Sequence, residues 1–275
     1  MAKTQPVASS SAPPHARRVL AALILGAFVC NINLSVANVA LPDIGKAFDS
    51  AQSALTFVAV GCTLGLAMSV LYFGALGDRY GRKFMLLLGL LLTVPAALLS
   101  AFAPTVEVLM FGRLLTGLAA GMAYPTTLAL ITALWADGKE RTRAIALWQA
   151  VSGGAAVFGP ALAGAFLEFW WWGSVFLIVV PVAIVAWVLN ARFVPAHVSE
   201  SSTPVDHLGG VLSVLMIATL VLGLGTLASP NARATTLALL GSCVVFAGGF
   251  IWRQAKTKYP LYELRYAKRR LFWLP

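Results

Sequence analysis

Long apolar stretches alternate with short polar turns along the whole chain. The apolar runs cover residues 19–41, 54–76, 84–102, 106–134, 144–169, 173–189, 208–228 and 234–252. Seven of them have 19 residues or more, and 173–189 has 17. A helix needs about 20 apolar residues to cross a bilayer. The pattern therefore predicts eight transmembrane helices, and the chain reads as an all-α integral membrane protein. An open strand would leave backbone groups unpaired in lipid. A closed β-barrel would alternate apolar and polar residues, and these runs do not.

The polar segments set the domain organisation. Residues 1–18 are rich in Ser, Pro and Ala and read as a disordered cytoplasmic tail. Six spans occupy 19–189, and a polar linker follows at 190–206. Two extra spans lie within 207–252, and 253–275 is a basic cytoplasmic segment. It ends in Leu271-Phe272-Trp273-Leu274-Pro275, which resembles the first residues of a ninth span. The chain is therefore expected to continue, with a second helical bundle beyond it.

Composition narrows the function classes. Hydrophobic residues make up 59% of the 275 positions and charged residues 11%, against about 25% charged in soluble domains. Mean hydropathy is +0.84. The net charge of +10 invites a nucleic-acid partner, but its distribution gives another reason. With the N-terminus in the cytoplasm, 17 of the 20 Lys and Arg residues fall in cytoplasmic segments. That is the positive-inside bias of a multi-pass membrane protein. Lipid is the expected partner, and nucleic acid is not.

No catalytic constellation is visible, and no metal or cofactor site is expected. Cys30, Cys62 and Cys243 lie singly inside apolar runs and read as buried free thiols. His15, His197 and His207 lie at segment ends or in polar linkers, without metal-ligand spacing. An enzyme is not indicated. Trp170, Trp171 and Trp172 fall at an outer membrane boundary and suit interfacial anchoring.

Polar groups inside apolar spans are the candidate functional residues, because they are costly in lipid. Arg113 lies in the fourth span, four residues before Gly117. It is read either as a functional charge or as a side chain reaching for the near interface. The first span carries Asn31, Asn33, Ser35 and Asn38, and Asn31, Ser35 and Asn38 share one helical face. Tyr124 and Gln149 are further candidates for a substrate path, with helix-to-helix hydrogen bonding as the alternative. Tyr124-Pro125 is expected to interrupt the fourth helix, and Pro160 to kink the fifth. No Asp or Glu lies deep in any of the eight runs; Glu107 and Glu168 sit only near the outer ends.

Between spans two and three the chain reads Gly74-Ala75-Leu76-Gly77-Asp78-Arg79-Tyr80-Gly81-Arg82-Lys83-Phe84-Met85-Leu86. A tight cytoplasmic turn favours Gly74 and Gly81, and Asp78, Arg79, Arg82 and Lys83 can form breakable ion pairs. This string resembles GxLxDRxGRKxxL, the signature loop of the major facilitator superfamily. Arg113 with Gly117 resembles that family's fourth-span motif, with Thr116 where Gln is frequent. The stretch from Gly154 to Gly164 resembles its exporter motif GxxxGPxxGG, with Ala155 and Ala163 in place of two glycines and with Gly159, Pro160 and Gly164 retained. Residues 32–42 resemble the LDxTxxNVALP string of fourteen-span drug:proton antiporters; Asn38 to Pro42 match, while Asn33 replaces the aspartate and Ser35 the threonine.

The resemblance implies a major facilitator-type helical bundle of six spans plus two linker spans. It implies alternating access in the cell membrane, with amphipathic or cationic drugs exported against protons. The cytoplasmic loop would act as a gate, Arg113 and Gly117 in proton transfer or gating, and Gly159, Pro160 and Gly164 as the exporter seal. Asn33 cannot carry a proton, so a proton carrier would lie elsewhere. Two alternatives stay open here: a truncated, non-transporting fragment that needs a second half, and an uptake symporter of the same superfamily.

Overall fold

The computed structural model describes residues 13–136, 138–196, 204–226 and 233–261. These form helices α1 (Ala16–Phe48), α2 (Gln52–Tyr80), α3 (Arg82–Ala101), α4 (Val106–Leu134), α5 (Lys139–Phe169), α6 (Ser174–Leu177), α7 (Val179–Phe193), α8 (His207–Thr226) and α9 (Arg233–Lys256). No strand occurs among the described residues. Eight of the helical stretches are long and apolar enough to cross a membrane, α6 and α7 together forming one of them.

Helices outrun their apolar runs at the polar ends. α1 starts at Ala16, so three residues of the expected tail are helical, and it continues past Pro42 to Phe48. α5 starts at Lys139, five residues before the apolar run. α7 takes in Asn190–Phe193 of the expected linker, and α9 runs on to Lys256 in the basic segment. Charged residues such as Lys, Arg and Glu are good helix formers. Apolar patterning marks the lipid-facing length of a helix, and its propensity carries the ends further. The expected ninth span lies outside the described residues.

The expected break at Tyr124-Pro125 does not occur: α4 is one helix from Val106 to Leu134. α5 likewise passes through Pro160. A proline leaves one carbonyl without its donor, and close neighbours can make that tolerable inside a bundle. α4 has such neighbours, being packed against both α2 and α3.

α1 lies against α5 and α7, α3 also meets α7, and α8 pairs with α9. The α8–α9 pair is attached through α2. Lipid tails are as apolar as leucine, so burial alone cannot drive these helices together. Close approach through small residues does so instead. A methyl group on Gly89 of α3 would lie 2.6 Å from the carbonyl oxygen of Ala119 in α4. One added to Gly112 of α4 would lie 2.6 Å from Ser100 Oγ in α3. Large apolar side chains, among them Phe84, Phe111, Leu237 and Val244, point outward from the bundle.

Candidate functional site

Arg113 is fully buried, and it is the largest fully buried side chain among the described residues. Snorkelling is therefore excluded: the side chain turns inward. Its Nε donates to the carbonyl oxygen of Val58 in α2 at 3.2 Å, and its Nη1 to that of Asn33 in α1 at 2.9 Å. The guanidinium carbon lies 5.6 Å from the centre of the Phe176 ring on α6. Nη2 has no hydrogen-bond partner. One cation thus ties α4 to α1 and α2, held by backbone dipoles and a ring face without a carboxylate.

The chain near Arg113 is packed backbone to backbone. Gly117 of α4 and Gly65 of α2 face each other: a methyl on Gly117 would lie 2.9 Å from Gly65 Cα and would overlap the carbonyl of Cys62. A methyl on Gly65 would lie 2.9 Å from Gly117 Cα and overlap the carbonyl of Leu114. Gly65 was not picked out from the sequence. α2 is apolar on every side, so no periodicity marks the face on which it meets α4.

The second locus is the seam between α1 and α5. Ala155, Gly159 and Ala163 are buried and recur every four residues, so they form one smooth stripe. A methyl on Gly159 would overlap Ser35 Oγ and lie 3.2 Å from Ser35 Cβ. Ser35 Oγ is 3.2 Å from the Ala155 carbonyl oxygen and 3.1 Å from that of Ile32. The first-span serine and the fifth-span glycine motif therefore belong to one contact. Gly164 does not: nothing lies within 4 Å of a methyl placed there.

The first-span amides diverge. Asn33 is buried and its Nδ2 donates to Val29 within its own helix at 3.0 Å. Asn31 is half-buried and donates to Ala27 at 3.1 Å. Asn38 is exposed. Tyr124 is half-buried with its ring 5.3 Å from that of Trp148 in α5. Trp148 Nε1 donates to Thr127 Oγ1 at 3.0 Å, closing an α4–α5 link that the sequence did not suggest. Gln149 is exposed on α5 and makes no part of this link.

The loop between α2 and α3 is the third locus. Gly81 separates the two helices with φ of 107°, a left-handed value that a side chain rarely adopts. Arg82 Nε and Nη2 lie 2.9 and 2.8 Å from Asp78 Oδ1, and its Nη1 donates to the Ala129 carbonyl in α4 at 3.0 Å. Lys83 Nζ donates to the Ala191 carbonyl near the C-terminal end of α7 at 2.8 Å, where helix carbonyls attract a cation. Arg79 is exposed, and it too makes an interaction. Gly74 has a helical backbone and open space around it, so neither turn geometry nor close approach explains it.

One polar cluster was missed entirely. Asp206 was read as the end of the linker, yet its side chain is 1% exposed. It accepts from Gly209 N at 3.1 Å, capping α8, and from Gln254 Nε2 at 3.3 Å. Arg253 Nε of α9 lies 3.1 Å from its Oδ1. Next to it, Tyr72 Oη of α2 is 2.9 Å from His207 Nδ1, and Gly210 lies flat against the Tyr72 ring. The available signal was an aspartate just before an apolar run, an N-cap signature.

Among the described residues no group of His, Cys, Asp and Glu could hold a metal ion.

Comparison with known proteins concerns the chain as a whole. The sequence profile described as Major Facilitator Superfamily matches residues 23–252. The chain is 34% identical over 241 residues to the methyl viologen resistance protein SmvA of Salmonella typhimurium, covering 87% of this chain and 49% of that protein. It is 32% identical over 252 residues to the multidrug efflux pump LfrA of Mycolicibacterium smegmatis, covering 92% and 50%. It is 31% identical to the methylenomycin A resistance protein of Bacillus subtilis, covering 88% and 52%. The chain thus spans about half the length of these curated relatives. A crystal structure of the peptide transporter POT in complex with sulfate superposes with a TM-score of 0.65 at 14% identity, over 88% of this chain and 53% of that one. The human organic anion transporter MFSD10 gives 0.56 at 18% identity, over 75% and 55%.

Proposed function

The chain belongs to the Major Facilitator Superfamily, and from that premise we propose that it supplies one helical bundle and two following spans of a drug exporter. The exporter moves amphipathic or cationic small molecules out of the cell by alternating access against a second bundle, with protons as the driving ion. The carrying observation is the α1–α5 seam. Ser35 lies against Gly159 and the Ala155 carbonyl, so the glycine–proline stripe closes directly onto the span that bears the polar residues. The resistance and efflux names of relatives at 31–34% identity support export.

The basic helix ends support a cytoplasmic N-terminus. Arg82 and Lys83 open α3, Lys139, Arg141 and Arg143 open α5, Arg192 closes α7, and Arg253 and Lys256 close α9. Counting helical crossings, these ends share one side of the membrane, where positive charge is retained. The six spans expected over 19–189 act as the bundle, and α8–α9 as an appended pair.

The test is uptake of a cationic dye into everted vesicles that contain the full-length protein. Proton-gradient-dependent accumulation is expected. Accumulation only in right-side-out vesicles would identify an uptake symporter, and none in either would remove the transporter reading.

Two substitutions probe the loci separately. Asp78→Asn should leave the unfolding temperature nearly unchanged, since the Asp78 side chain is 52% exposed and such pairs contribute about 0–1 kcal/mol. Export should nonetheless fall roughly tenfold, equivalent to about 1.4 kcal/mol on the rate-limiting step; wild-type export would remove Asp78 from the gate. Asn33→Asp places a titratable group at the residue whose carbonyl receives Arg113 Nη1. The pH profile of export should change shape, and an unaltered profile would place proton coupling away from residue 33.

A further inference from the structure

A cavity of about 400 Å³ opens where the first turns of α1 and α5 meet the end of α4. It is apart from the three loci above. Leu20, Ala144, Leu147 and Trp135 line it, with Arg17, Arg143 and Glu140 among the polar groups. The neighbouring cations are occupied. Arg141 Nε donates to Trp135 O at 3.0 Å and its Nη2 to Thr132 O at 2.5 Å, closing the last turn of α4. Arg18 lies over the Phe193 ring, 5.8 Å from its centre. Arg17 and Arg143 differ: both are exposed, and neither is in an ion pair among the described residues, with Glu140 or with any other acid.

We propose that this cavity seats an anionic phospholipid of the cytoplasmic leaflet. Arg17 and Arg143 hold the headgroup phosphate, and Leu20, Ala144 and Leu147 lie along the glycerol and upper acyl chain. Two features select this occupant. Two unpaired guanidinium groups complement a phosphate, and the single Glu140 leaves the lining net positive. The apolar floor would gain nothing from a free phosphate but matches a molecule with an acyl chain. Basic pockets between helices on the cytoplasmic side are suited to such headgroups. The inference rests on the proposed orientation and not on the direction or cargo of transport, and a binding assay therefore tests it apart from export.

The experiment is native mass spectrometry of the full-length protein released from nanodiscs. The discs contain palmitoyl-oleoyl phosphatidylcholine alone, or the same lipid doped with palmitoyl-oleoyl phosphatidylglycerol. The wild-type protein should retain phosphatidylglycerol. Arg17→Gln with Arg143→Gln should weaken that retention roughly tenfold or more, as expected for two lost cationic contacts. Arg192→Gln with Lys256→Gln removes equal charge from the same side of the membrane and should change retention less than about twofold. Leu147→Glu keeps both arginines but puts an acid on the floor; Leu147 is 47% exposed, so the fold tolerates it, and retention should again fall. Equal retention by the wild type and the Arg17/Arg143 pair would overturn the proposal. So would an equal loss in the Arg192/Lys256 pair, or the absence of retained phosphatidylglycerol on the wild type, as when a second bundle covers the cavity. Displacement of the lipid by millimolar inorganic phosphate would overturn it as well, in favour of a free phosphate site.

Discussion

Arg113→Ala is expected to reduce export by the full-length protein to background while leaving its amount in the membrane unchanged. Arg113 makes two charged hydrogen bonds to backbone carbonyls, at Val58 and Asn33, on two different helices. Each such bond contributes about 1.5–3 kcal/mol. Alanine deletes both, together with the ring contact to Phe176. It also removes a buried cation that costs about 3 kcal/mol to hold in a membrane span. The second change offsets part of the first in stability but not in function, since the tie between α4, α1 and α2 is lost. Arg113→Lys separates charge from geometry. One ammonium keeps the charge but lacks the planar fork that reaches two carbonyls. Export by the lysine variant should stay well below wild type. Dye efflux rates normalised to membrane-bound protein check both variants, and wild-type rates in Arg113→Ala would show that the buried cation serves structure alone.

Gly117→Ala is expected to be strongly destabilising, and Gly65→Ala equally so. In each case the added methyl meets backbone of the facing helix, which cannot rotate away as a side chain could. Overpacking costs about 1–3 kcal/mol where side chains can adjust, and these two substitutions should lie at or above the top of that range. Because both methyls would enter one crossing, the double variant should depart from additivity. Gly164→Ala is the control. It meets open space, and replacing glycine inside a helix should add up to about 1 kcal/mol of stability. Thermal unfolding of the purified protein in detergent reads all four. A Gly117→Ala variant as stable as the control would mean that α2 and α4 do not cross at these residues.

The spans were legible because lipid imposes a length and a composition that soluble helices need not meet. α4 matches its apolar run at both ends, whereas α1, α5 and α9 pass several residues into charged sequence. At those ends helix propensity decides, and hydropathy is silent. Pro125 lacks a donor, which predicts a break, yet α4 continues through it with α2 and α3 packed against it. The loci were partly legible for a similar reason. Arg113 stands out because a charge in a span has to be explained. Gly65 does not, because its role depends on which face of a uniformly apolar helix meets α4. Ser35 and Gly159 were each visible in sequence, yet only the fold shows that they touch. Asp206 was hidden by its polar neighbours, which made a buried carboxylate resemble one more linker residue.

The Asp206 cluster has a consequence for how such a chain can gain or lose helices. A version that joined α7 directly to a following bundle, without α8 and α9, would strip Tyr72 of both His207 and the flat surface of Gly210. If Asp206 were kept, it would be left without Arg253 and Gln254. The pair is therefore not an interchangeable cassette. Shorter and longer architectures should differ at the Tyr72 position as well as in helix number, and grafting the pair onto a shorter transporter would require an aromatic hydroxyl at that point of α2.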